Sequence, residues 1–297
     1  MSTSEAVLDR TPREATRPAR GVSTRLLRSE LRLVFGRRRN QALLAALACV
    51  PVLIAVAIRL STGGGGRRGG DGGEGPPFIG QIAGNGLFVA FTALVVTLPL
   101  FLPLAVSVAA GEAVAGEAST GTLRNLLVVP VGRTRLLVVK FAGIVAFAVA
   151  AALTVGAAGV LIGLVLFPVG PVTLLSGGTL PVGAALVRVL LVALYVAAML
   201  AGLAAIGLFA STLTEVPIAA MAVTAITAVV VQILDAVPQI AVIHPYLLTE
   251  WWLRFGDLLR DPIVYGDMTR GLLVTAAYVL VFGALAWARL STKDVSS

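Results

Sequence analysis

Charge is scarce in this 297-residue chain. Asp, Glu, Lys and Arg make up 13% of it, against roughly 25% in soluble domains, while 58% is hydrophobic and the mean hydropathy is +0.95. That shortage excludes an ordinary water-soluble enzyme. Histidine and cysteine each occur once, as His244 and Cys49. A single histidine precedes Pro245 in a loop and leaves no two-His metal site and no Ser–His catalytic pair within one chain, so no metal ligand and no catalytic residue is assigned. Cys49 lies inside an apolar run, so an intramolecular disulfide is excluded. The phosphate-binding pattern G-x-x-x-x-G-K-[ST] is absent as well. The chain is therefore not expected to hydrolyse ATP by itself.

What the chain has instead is long apolar runs. A helix crosses the roughly 30 Å hydrocarbon core with about 20 apolar residues, and a spanning segment must satisfy its backbone hydrogen bonds internally. Six runs qualify: approximately residues 41–58, 85–110, 141–167, 186–210, 217–237 and 272–288. The expectation is an all-α, multi-pass membrane protein. Arg37-Arg38-Arg39 followed by an apolar stretch and Cys49 has the outline of a lipoprotein signal peptide, but Ala46 stands where Leu is usual, and the run continues past Val50-Pro51 to Ile58. The first run is read as a retained span.

Net charge is +8, and 10 of the 23 Lys and Arg residues precede Gln41. This placement reads as a topology signal and argues against nucleic-acid binding. With the N-terminus inside, twelve span-flanking Lys and Arg residues fall on the inner side and seven on the outer, so both termini are expected in the cytoplasm of a cell-membrane protein. Residues 1–20 have too little apolar content to fold and read as a disordered basic leader. In residues 21–40, Leu26, Leu27, Leu31, Val34 and Phe35 recur at helical spacing among Arg25, Arg28, Glu30 and Arg32. That pattern predicts an amphipathic helix in the cytoplasmic interface, ahead of a transmembrane domain over residues 41–297. Residues 61–77, rich in glycine, read as a flexible outer linker.

Ion-coupled transporters and intramembrane enzymes keep ionisable groups within their spans. Here only Asp235 and Arg188, near span ends, come close. Two spans instead carry polar stripes. At about 100° per residue, Gln81, Asn85, Thr92, Pro99, Pro103 and Ser107 share one face of span two, and Pro217, Thr224, Thr227, Gln232 and Asp235 share one side of span five. The residues singled out as a translocation path are Asn85, Thr92, Pro99, Ser107, Thr224, Thr227, Gln232 and Asp235; ordinary interhelical hydrogen bonding is the alternative. Gly159 with Gly163, and Ala198 with Gly202, read as close-packing positions.

The inner loop over residues 111–140 is the most distinctive stretch. It carries Glu112 and Glu117 ahead of Gly121-Thr122-Leu123-Arg124, then Leu126-Leu127, Pro130, Arg133 or Arg135, and Lys140 at the start of the next span. This resembles the ABC-2 type permease family, the membrane subunits of ATP-driven exporters. An interfacial helix before span one, six spans and a long outer segment over residues 238–270 fit the same pattern.

The resemblance implies an ABC-2 (type V exporter-like) fold and a permease that forms the translocation pathway. It also implies a separate ABC ATP-binding subunit that supplies ATP and Mg, no cofactor in this chain being expected. The loop would form a coupling helix docking on that subunit, with Glu112, Glu117, Gly121, Thr122, Leu123 and Arg124 as the coupling residues. Glu112, Glu117 and Arg124 are expected to be exposed for ion pairing with the partner, and Glu117→Arg to uncouple hydrolysis from transport with the fold intact. A second permease copy, identical or paralogous, would complete a pathway lined by spans two and five. Trp251 and Trp252 in the outer segment suit the membrane interface, and the resemblance makes them an outer gate. The competing reading is a self-sufficient secondary transporter or channel, which predicts mid-span coupling groups or an internal repeat. The substrate is not legible.

Overall fold

A computed structural model describes residues 24–63, 85–119, 132–173 and 177–292. The leader, residues 64–84 with most of the glycine-rich linker, and residues 120–131, 174–176 and 293–297 lie outside these. Among the described residues the chain is an all-α membrane protein with five long apolar helices and one bent pair of shorter ones that is a sixth candidate span.

Helix α1 (Thr24–Gly36) is the amphipathic segment the spacing predicts. It packs along α6 (Arg133–Leu166), with Phe35 against Phe147 at a ring separation of 6.4 Å. Arg37 alone separates α1 from α2 (Arg38–Gly63). The side-chain amides of Asn40 and Gln41 donate to the carbonyls of Val34 and Phe35 at 2.8 and 2.9 Å, so they satisfy acceptors left over at the C-terminus of α1.

Span two is not one helix. It breaks into α3 (Phe88–Thr97) and α4 (Phe101–Ala113), bent by 57°. The cause is in the sequence. Pro99 has no N–H to give to the preceding turn, and Pro103 has none to give to the Pro99 carbonyl four residues back. The orphaned Pro99 carbonyl accepts a 2.6 Å hydrogen bond from the Gln232 amide of α8 (Pro217–Asp235) instead. After α4 the chain kinks at Val114 into the short α5 (Ala115–Ser119).

Helix α6 has 34 residues, about 51 Å at 1.5 Å per residue. That exceeds the hydrocarbon thickness, so its first two turns, Arg133 to Lys140, project beyond the 141–167 run. A two-residue antiparallel hairpin, β1 (Val172–Thr173) with β2 (Thr179–Leu180), leads into α7 (Val182–Leu213). Helix α7 is the most enclosed span and contacts α4, α6, α8 and α9 (Gly266–Thr292). By contrast α2, α8 and α9 leave most of their apolar surface open.

Gly163 is where the expected small-residue packing is tightest. A Cβ there would stand 2.0 Å from the Gly86 carbonyl oxygen, and one on Gly159 2.5 Å from the Ala90 Cα. Gly202 faces the side chains of Leu248 in the cap and of Thr275 in α9. Three 3₁₀ segments, Pro238–Tyr246, Thr249–Trp251 and Arg254–Leu259, cap the end of the bundle opposite α1.

Candidate functional site

The charged side chains that sequence reading scattered over separate segments converge at the α1 end of the bundle. Helix α1 turns Glu30 inward from its otherwise basic polar face, and the projecting first turns of α6 bring Lys140 to it. The Lys140 ammonium donates to both Glu30 carboxylate oxygens, at 3.1 and 2.8 Å, and to Glu117 of α5. All three are buried, Lys140 at 3% and each glutamate at 8% exposure. Beside them Glu112 of α4 accepts from Arg37 and pairs with Arg39 at 2.6 Å. Three carboxylates thus face three cations and tie α1, α2, α4, α5 and α6 together. A buried charge keeps its charge only when paired in this way.

Ser211 of α7 holds the same place from behind. Its hydroxyl oxygen accepts from the backbone N–H groups of Val114 and Ala115 at 3.0 and 2.8 Å and donates to the Gly111 carbonyl at 2.9 Å. These backbone groups lose their helical partners at the α4–α5 kink, so one buried hydroxyl satisfies three of them. Gly111 permits the fit: a Cβ there would lie 2.7 Å from the Met221 backbone nitrogen.

This corrects the expectation that Glu112 and Glu117 stand exposed for a partner. Glu117 is buried and committed to Lys140, and Glu112 is shielded by two arginines. Glu117→Arg would set a second cation against buried Lys140, so it is expected to destabilise the fold rather than leave it intact. Gly121, Thr122, Leu123 and Arg124 lie outside the described residues. Ser211 was missed altogether, because a hydroxyl in an apolar run carries no signal of its distant partner.

The polar stripes divide. Asn85 is buried, its amide N–H donating to the Gly170 and Pro171 carbonyls while its oxygen accepts from Leu87 N–H, which stitches the start of span two to the end of span three. Ser107 and Thr224 are also buried, each donating to the carbonyl four residues back. Helix α8 packs on α4, and Thr224 meets the backbone of Gly207. These three side chains serve packing in this conformation rather than lining an open path. Thr92, Thr227 and Gln232 remain half-buried and Pro99 exposed. Asp235 ends α8 at the opposite end of the bundle.

Trp251 and Trp252 do not face out of the bundle. They are buried at 7% and 3% exposure against α7 and α9. The Trp251 indole N–H donates to the Pro245 carbonyl, and its own carbonyl accepts from the Tyr195 hydroxyl at 2.8 Å. A Cβ on Gly271 would lie 2.7 Å from the Trp251 Cβ. The most exposed apolar residues of this cap are Val242 and Tyr246, at 85% and 71%. Arg254 pairs with Glu250, and this hydrogen bond raises the guanidinium above its usual pKa.

Five long apolar helices with a bent pair as a sixth candidate span, packed around an enclosed α7, and an amphipathic helix locked to the connection that follows the bent pair define a multi-pass all-α membrane protein. The sequence pattern of the ABC-2 family transporter proteins matches residues 37–231, about two thirds of the chain. The chain belongs to that family. No curated protein matches it.

Proposed function

We propose that this chain is the permease subunit of an ATP-driven exporter, and that a separate ABC ATP-binding subunit docks at the α1 end of the bundle. The family match, which runs through the whole connection between spans two and three, carries this reading. The ion-pair network supports a route for force. A push on that connection meets Lys140, Glu30 and Glu117 together, so α1 and α6 move with it rather than independently. Glu112 and Glu117 then act by holding the docking segment rigid, while residues 120–131 carry the contact itself.

The excess of Lys and Arg beside α1 and the first turns of α6 supports both termini in the cytoplasm and location in the cell membrane. Two permease copies, identical or paralogous, enclose the pathway. The open apolar faces of α2 and α8, with Ile218, Ile226 and Ile233 exposed, support such a partner. Thr92, Pro99, Thr227 and Gln232 are the polar groups that remain available to the pathway, and Pro99 with Gln232 forms its hinge.

The test is gentle purification of the tagged chain from its native membrane, identification of stoichiometric partners, and assay of vanadate-sensitive ATPase activity. A Walker-containing partner with activity upholds the proposal. A single-chain preparation that transports without ATP overturns it in favour of a secondary transporter or channel.

A further inference from the structure

The end of the bundle away from the ion-pair network holds a second constellation. Asp235 closes α8, His244 lies in the first 3₁₀ segment and Glu250 in the second. Each offers a ligand atom, and the three atoms lie within 4.8 Å of one another. All three residues are half-buried.

Two further observations point to a ligand. The His244 Nε2 lies 3.2 Å from the Val237 carbonyl oxygen. A carbonyl can only accept, so Nε2 is the donor in this contact, and Nδ1 is the ring nitrogen not engaged by it. A backbone carbonyl oriented on the far nitrogen in this way is the usual second partner of a metal-bound imidazole. The Asp235 carboxylate lies beside the Thr249 hydroxyl and the Glu250 carboxyl, with its Oδ1 shielded from solvent. Two carboxylates held this close repel unless a proton or cation lies between them. Arg254 occupies one oxygen of Glu250 and leaves the other.

We propose that Asp235, His244 and Glu250 form a binding site for a divalent transition-metal cation of the zinc type, with water completing the coordination. One imidazole and two carboxylates suit such an ion. Tetrahedral ligation at about 2.1 Å places ligand atoms about 3.4 Å apart, so the cluster closes by at most about 1.4 Å per pair. The bound ion ties the last residue of α8 to the cap. Gln232, one turn earlier on the same helix, holds the Pro99 carbonyl at the bend of span two. Occupancy of the site therefore stiffens the helix end on which the hinge depends.

The experiment exploits the single histidine. Full-length protein with a tag lacking histidine, in a Cys49→Ala background, is labelled with ¹⁵N-histidine, placed in lipid nanodiscs and titrated with Zn²⁺. The imidazole resonances are expected to shift and saturate near one equivalent per chain. Asp235→Asn, which keeps the side-chain shape, is expected to raise the midpoint at least tenfold, and Glu250→Gln likewise. Unchanged resonances through a hundredfold excess of Zn²⁺ would overturn the proposal. So would wild-type midpoints in both variants, since they would mark a lone surface imidazole. Neither result bears on whether the chain works with an ATPase.

Discussion

Lys140→Met is the sharpest perturbation of the buried network. Methionine keeps the length of the side chain and removes the ammonium, so Glu30 and Glu117, each 8% exposed, lose the cation they share. Removing one partner of a buried ion pair costs about 3–5 kcal/mol, because the charge left behind is uncompensated. At roughly 2–4 °C per kcal/mol for a chain of this size, the apparent Tm should fall by about 6–20 °C. Trp251 and Trp252 are buried in the core, so intrinsic fluorescence during heating in nanodiscs reports the loss. A control separates charge from shape. Replacing Glu30, Lys140 and Glu117 together by methionine removes every charge of this cluster and should recover most of the loss, since apolar replacement of a buried ion pair is often neutral. A drop under about 2 °C in the single variant, or a triple variant as unstable as the single one, would refute the burial argument.

Other outcomes are expected from the same geometry. Ser211→Ala strands the N–H groups of Val114 and Ala115, at about 1–3 kcal/mol per unsatisfied group, and should loosen the α4–α5 kink, visible as faster hydrogen exchange there. Gly163→Ala should be strongly destabilising, because its Cβ would meet the Gly86 carbonyl at 2.0 Å. Gly283→Ala, with nothing within 4 Å, should be stabilising by about 0.5–1 kcal/mol through helix propensity; comparison of the two melts checks both signs. Gln232→Leu leaves the Pro99 carbonyl without its donor, and spin-label distances across the break should show α3 and α4 changing their bend. In a Cys49→Ala background, a cysteine at Thr92 should react with thiol reagents, and one at Thr224 should not, with or without substrate.

The helices were legible because hydropathy measures a local property. A run of about 20 apolar residues in a membrane has few options but to become a helix, so five long helices and the bent pair fall where the six runs do, and α1 follows from the spacing of Leu26, Leu27, Leu31, Val34 and Phe35. Boundaries differ both ways: α6 begins, and α7 both begins and ends, beyond its apolar run, since a helix continues past the membrane as long as its caps and contacts allow, whereas α3 begins after its run and α8 ends before its own does. The Pro99 and Pro103 pair announced a kink. Its size, and the Gln232 amide that fills the vacated acceptor, were not announced.

Sites were less legible, because sequence gives residue types and not their partners. Glu112 and Glu117 looked like surface carboxylates until α1 and α6 arrived with Arg37, Arg39 and Lys140. Asn85, Ser107 and Thr224 formed part of a convincing polar face, yet hydrogen bonds to nearby carbonyls absorb them inside one chain. Trp251 and Trp252 matched the composition of a membrane interface and turned out to be the filling beneath a cap.

By itself the sequence determined that the chain is a helical membrane protein, where its apolar helices lie, where the second run is weakened, and the family resemblance carried by residues 111–140. Only the tertiary structure decided which charges neutralise one another, which polar groups are spent on packing, and that Asp235, His244 and Glu250 meet. The physical reason is range. Helix formation and membrane insertion depend on residues within a few turns, whereas a buried ion pair or a ligand cluster joins groups 15 to 110 positions apart, set by how the helices pack.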